Sequence, residues 1–284
     1  MKNISTYVNE KLRISSRMPA KSYNPENSLE LSKIIMDEIS KQGCDADLND
    51  IDTSKIDDMS DLFNGNTTIR NIEISEWNLE NVINTMRMFR NCPNFNGDIS
   101  DWDVSNVRTM SFMFKRCDNF NSDLSRWNVH NVWRMNGTFF ECHQFNSDIS
   151  KWDVNNCTTF INTFAECTSF NQDLSEWDVS NAKNCTGMFD GCEKFESDLS
   201  HWDVRKLETM DYMFNNCYEF NSDLSSWDLI NATSMPHMFE NCKKFDADLN
   251  SWNLDIFHIS ADKMFNGCTS LKTIPRWYEQ YLKI

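Results

Sequence analysis

The chain has 284 residues, 40% of them hydrophobic and 25% charged, which is enough apolar surface for a continuous core. Its 27 Lys and Arg against 43 Asp and Glu leave a net charge of −16, which argues against a general binder of nucleic acid or anionic membranes. Gly (7) and Pro (5) are scarce while Trp (10), Phe (20) and Cys (11) abound, a balance that excludes disordered, collagen-like and Gly-rich hairpin architectures.

In chain order, Met1–Glu10 lacks the apolar stretch of roughly 7–15 residues that a secretory signal carries. No segment reaches the roughly 18 apolar residues of a membrane helix. Without export, eleven cysteines are expected as reduced thiols rather than as a disulfide framework. Residues 15–26 read as a linker. Asn27 to Ile39 carries apolar residues at 31, 34, 35 and 39, predicting an amphipathic helix capped by Asn27 or Ser28 and ended near Gly43.

From there a repeat dominates. Trp77, Trp102, Trp127, Trp152, Trp177, Trp202, Trp227 and Trp252 fall 25 residues apart. Cys92, Cys117, Cys142, Cys167, Cys192, Cys217 and Cys242 keep the same ruler, with Cys268 one residue late. Two Phe columns run from Phe89 to Phe239 and from Phe95 to Phe245. The segment from Asp47 to Thr53 aligns one unit earlier with Ile51 in the Trp slot, giving nine units. Val107, Met110, Met113, Phe114 and Cys117 have the spacing of one face of a short helical turn. Phe120 to Trp127 reads as an extended stretch with Leu124 inward. Such a unit cannot bury its apolar face alone, so the predicted fold is an α/β solenoid of nine coils of about 25 residues, each strand plus helical turn. An N-terminal helical extension, linker and cap occupies 1–44, the solenoid 45–270 and a C-terminal cap 271–284. In that last cap Leu271 to Pro275 reads as a final strand, with Trp277, Tyr278, Tyr281 and Leu282 folding over the end.

The Phe-Asn-x-Asp-Leu-Ser-x-Trp-Asp-Val-Ser-Asn-Val and Met-Phe-x-x-Cys strings resemble the BspA-type leucine-rich-repeat family over roughly residues 45–275. That resemblance implies a leucine-rich-repeat-like solenoid used for binding, with no catalytic residues to carry over. The leader through Asp52 looks like the version carried by phages of gut bacteria, which implies residence in the host cytoplasm or the virion. Met1–Glu10 also resembles the short capsid-targeting leaders of phage internal head proteins, and a surface adhesin is a further alternative.

Several columns could carry chemistry. One is acidic in every unit: Asp47, Glu73, Asp98, Asp123, Asp148, Asp173, Asp198, Asp223 and Asp248. Hydrogen bonding to local N–H groups or to the Ser column explains it better than a row of Ca²⁺ ions, so no metal is expected. The Cys and Trp columns read as core, and Cys44 as the exposed thiol. No His-Glu-x-x-His, phosphate loop or nucleophile elbow is present, so neither an enzyme nor a cofactor is expected. Trp133 breaks register among cations. With Arg87, Arg90, Arg108, Lys115, Arg116, Arg126 and Arg134 it forms the candidate site for a protein partner, since exposed Trp and Arg are the composition of binding hot spots.

Overall fold

The structure, a computed structural model, describes residues 21–284, so the leader reading of Met1–Glu10 lies outside the described residues. Helix α1 spans Ser28–Gln42. Asn27 caps it, its side-chain oxygen accepting from the Glu30 N–H at 3.0 Å, and Gly43 ends it at φ +91°. Leu31 and Ile35 press on the first coil, and the Ser28 hydroxyl donates to the Asp58 carbonyl. Tyr23 bridges in parallel to Ile51, so the end of the expected linker is in fact a rung laid against coil 1.

Nine coils follow, numbered here by their Trp-slot residues from Ile51 (coil 1) to Trp252 (coil 9). Trp, being large and carrying an N–H, is buried stably only where that donor finds an acceptor. Here each indole N–H donates to a carbonyl one coil earlier, as Trp102 does to Ile74 at 2.9 Å and Trp152 to Leu124 at 3.0 Å. Trp277 makes the same bond to Leu249 at 2.9 Å and stacks on Trp252 at 6.0 Å. The column therefore runs on into helix α2 (Arg276–Tyr281), where a separate cap was expected. Where Trp rings of neighbouring coils stack, from Trp77 to Trp227, they differ by 1–8°, so those coils lie almost parallel, and the angle opens to 21° at Trp277, beyond the last coil. Beside them Phe89 and Phe114 stack at 5.7 Å, and Phe114 lies 4.0 Å from Phe120 within its own coil. The Cys thiols donate to the Phe-column carbonyls of the preceding coil, Cys117 to Phe89 at 2.9 Å. Burial pushes the Cys92 thiol up to about 12, and those of Cys117 and Cys142 well above the ordinary thiol value too. We expect a thiol reagent to modify Cys44 at once and the buried column only on unfolding; rapid labelling of Cys142 in the native protein would contradict this packing.

Two expectations about the coil backbone are corrected. The stretch from Val107 to Cys117 is not helical: α1 and α2 are the only helices among the described residues. Its 3, 3, 1, 3 apolar spacing comes instead from overlapping tight turns, with Met113, Lys115 and Cys117 donating N–H to the carbonyls of Met110, Phe112 and Phe114. The N–H groups between them leave the coil. Met110, Phe112, Phe114 and Arg116 donate to Arg134, Asn136, Thr138 and Phe140 of the next coil at 2.8–3.2 Å. Four such bonds cross every one of the eight junctions, all pointing toward the C-terminus. The parallel rungs between coils also fall in this stretch, at the Thr109 column; the column of Phe120 to Trp127 has one only at the first junction, Asp47 to Glu73. That second segment is held mainly by side chains: the Asn121 N–H meets the Asn96 carboxamide at 2.8 Å and the Ser122 hydroxyl the Gly97 carbonyl at 2.7 Å. Asn and Ser ladders thus replace a strand ladder there.

One-way peptides leave an end. At coil 9 the Ala261 N–H, one of those left without a next coil, is met by the Tyr281 phenol oxygen at 3.2 Å, while the Tyr278 phenol adds an acceptor at 3.2 Å to the Met264 N–H, which also bonds within its own coil. Helix α2 is therefore a polar cap as well as an apolar lid. The Tyr281 hydroxyl also donates to the Asp262 carboxylate at 3.1 Å, so Tyr281→Phe should cost about 1–2 kcal/mol in chemical denaturation, the worth of two such bonds at an exposed end. No loss would show that water serves equally well.

Candidate partner-binding face

The turn-rich stretch places its outward side chains, residues 108–116 of coil 3 and their equivalents, in one continuous band down the stack. Its backbone takes left-handed φ twice per coil, at the Phe112 and Arg116 columns. Five of the seven glycines fall there (Gly65, Gly137, Gly187, Gly191 and Gly267), which is why so few serve so long a chain. The remaining slots hold non-glycine residues, among them Arg87 (φ 58°), Phe112 (60°), Tyr212 (57°) and His237 (58°). Bulky residues there cost about 1–2 kcal/mol each. The repeat fixes no residue in this column, so the band is the variable part of an otherwise regular surface.

Seven of the eight candidate residues lie on this band. Trp133 is 42% exposed and the Arg134 guanidinium covers its ring at 4.3 Å. Lys115 sits 4.3 Å above the Phe140 ring, and burial, with Arg116 beside it, lowers its pKa. Arg116 is neutralised by Glu141 at 2.8 Å, and Arg87 holds the Asp61 carboxylate by two nitrogens, at 2.9 and 2.7 Å. Among the described residues Arg90, Arg108, Lys115 and Arg134 have no carboxylate partner, and the Arg90 Nε is buried without any acceptor. Arg126 does not join them. It precedes Trp127, pairs with Asp101 at 2.6 Å, and belongs to the column of Glu176 and His201 that lines shallow hollows beside the acidic ladder. A 25-residue ruler gives position along the stack but not the side of the coil, which is why the sequence grouped it with the band. The aromatic members Phe112, Phe140 and Tyr212 escaped the sequence reading. Their signal was the absence of any consensus at those slots.

The acidic ladder is occupied by local bonds. Each aspartate of the ladder accepts the N–H two residues on, Asp98 from Ser100 at 3.0 Å and Asp123 from Ser125 at 2.9 Å, and these bonds hold both below the usual carboxylate range. Such bonds offset the like-charge repulsion down the column, about 1 kcal/mol per neighbour in water. Asp190 behaves oppositely. Burial above all, and then the nearby Glu166 charge, push it up to about 6 against the 2.8 Å bond from Asn215. A raised carboxyl favours the folded state while protonated, so that stability is lost as pH rises from the ordinary carboxylate range through about 6. Asp190→Asn should therefore raise the Tm at neutral pH and leave it nearly unchanged at acid pH. An equal shift at both would show that the carboxyl titrates normally.

A family model described as "Mycoplasma protein of unknown function, DUF285" matches residues 31–142, 117–207 and 183–277 in tandem. The chain belongs to this family. The match agrees at family level with the BspA-like Trp and Cys repeat. Comparison with curated proteins gave no match. Among solved structures, the chain in "Crystal structure of TLR13-ssRNA13 complex" is similar at 12% identity and a TM-score of 0.26, over 86% of this chain and 48% of that one. The DUF285 chain thus spans about half the length of that structure, a likeness too low to argue from.

Proposed function

We propose that this DUF285 protein is a non-enzymatic repeat scaffold whose work is to hold a protein partner against the band of coils 2–4. The observation that carries this reading is the meeting of half-exposed Trp133 with cations that lack carboxylate partners, on a band whose outward positions vary from coil to coil. Truncating Trp133 and reversing Arg108 and Arg134 should abolish capture of the partner, read by pull-down and mass spectrometry. All three are exposed, so the Tm should hold. Arg126→Glu, off the band, should capture normally. Capture that survives the triple change places the partner elsewhere.

The phage-encoded version of this reading, acting in the host cytoplasm or packaged in the virion, is supported by the resemblance of the leader. N-terminal sequencing of protein from purified particles tests it. A chain that begins at Lys11 supports packaging, and absence from particles removes it.

A further inference from the structure

The band changes sign along its length. In coils 2–4 it carries Arg87, Arg90, Arg108, Lys115, Arg116 and Arg134 against Glu141 alone. In coils 6–8 it carries Asp190, Glu208, Asp211 and Glu240 against Lys183 alone. Coil 5 lies between them, with Thr158, Thr159, Ile161, Asn162 and a single carboxylate, Glu166. Because the stacked Trp pairs within coils 2–8 differ by no more than 8°, the stack bends little there, and two such bands can lie along each other. Seven coils at about 4.8 Å make a contact about 30 Å long.

Resting on the reading of the band as a binding face, we propose that one partner it fits is a second copy of this chain. The copy lies antiparallel, related by a two-fold axis that crosses the band at coil 5. An axis there sets coil 2 opposite coil 8, coil 3 opposite coil 7 and coil 4 opposite coil 6, each column facing itself. Arg108 then faces Glu208, Arg90 faces Glu240, and the Phe112 ring faces Tyr212, which is 39% exposed and stacked on His237 at 4.5 Å. An isologous contact repeats every pair twice, so each opposite-charge pair counts double. Only Glu166 meets its own like-charged copy, on the axis at the edge of the band. Shifting the axis to another coil weakens this match: centred on coil 4 it would set Arg134 and Glu141 each against its own copy and Arg108 against uncharged Thr158, and on coil 6 it would set acidic coil 7 against uncharged-to-acidic coil 5.

Both members of a facing pair belong to the same chain, which makes a charge swap decisive. Light scattering across a wide concentration range should show wild-type protein moving from monomer to dimer, with weaker association at high salt. Arg108→Glu should weaken the dimer by about tenfold or more, Glu208→Arg likewise, and the two together should restore it. Arg126→Glu, off the band, should leave it unchanged. A wild-type chain that stays monomeric at every concentration overturns the proposal, as does a double variant no better than the singles. Either outcome leaves the binding band itself standing if Trp133→Ala still abolishes capture of another protein; if capture is also unaffected, both fall.

Discussion

Trp152→Ala should destabilise the protein by about 3–5 kcal/mol and split its unfolding into two transitions. The side chain is 3% exposed, its N–H is spent on the Leu124 carbonyl at 3.0 Å, and its ring lies between Trp127 at 6.3 Å and Trp177 at 6.4 Å. Removing it opens a cavity in coil 5 and leaves the Leu124 carbonyl with only the Trp127 N–H, so transfer, packing and hydrogen-bond losses add. In a stack each coil touches only its neighbours, and the weakened junction is the only mechanical link between coils 1–4 and coils 6–9. Denaturant titration followed by far-UV and fluorescence signals should therefore resolve two midpoints where wild type shows one. Trp277→Ala makes a useful contrast. It has a ring neighbour on one side in the column, Trp252, and should cost less without dividing the transition. A loss below about 1 kcal/mol at Trp152 would show that the Phe columns alone hold the stack.

The core of this solenoid was legible because its residues are chemically singular. Trp, Phe and Cys at one fixed interval can hardly do anything but stack, and the 25-residue step from Trp252 points directly at Trp277, although the cap reading passed over it. The backbone was not legible. A spacing of 3, 3, 1 and 3 fits a helical turn and also fits a chain of tight turns that alternate between their own coil and the next. What separates the two is the left-handed residue every four positions, and that column contains Arg, Phe, Tyr and His as freely as Gly and Asn. Local propensity was overridden there by the hydrogen bonds that the next coil supplies. The binding band was half legible for the same reason: its cations and Trp133 stood out by composition, whereas Phe112 and Arg126 could be placed only once the side of the coil was known.

The left-handed column carries the second large effect. Gly137→Ala should cost about 2–4 kcal/mol, more than an exposed-turn substitution usually does. Gly137 has φ +57°, and a Cβ added there would lie 2.5 Å and 2.6 Å from two carbons of the Phe112 ring. Two separate penalties are combined, the left-handed backbone and the clash with the preceding coil, and they can be told apart. In a Phe112→Ala background the ring is gone, so Gly137→Ala should cost only the backbone share, about 1–2 kcal/mol. The difference is a coupling of about 1–2 kcal/mol in a double-mutant cycle. The pattern extends down the column: Phe112 lies over Gly137, Asn162 over Gly187, and Tyr212 over the ring of His237. Coils 3 and 5 thus send a side chain along the stack over a glycine that makes room, and coil 7 sends Tyr212 onto a flat ring that matches it. Variation in this column is therefore paired, and a binding face assembled from it can change only two coils at a time. If Gly137→Ala proves equally costly with and without Phe112, the clash is absorbed elsewhere and that pairing constraint does not exist.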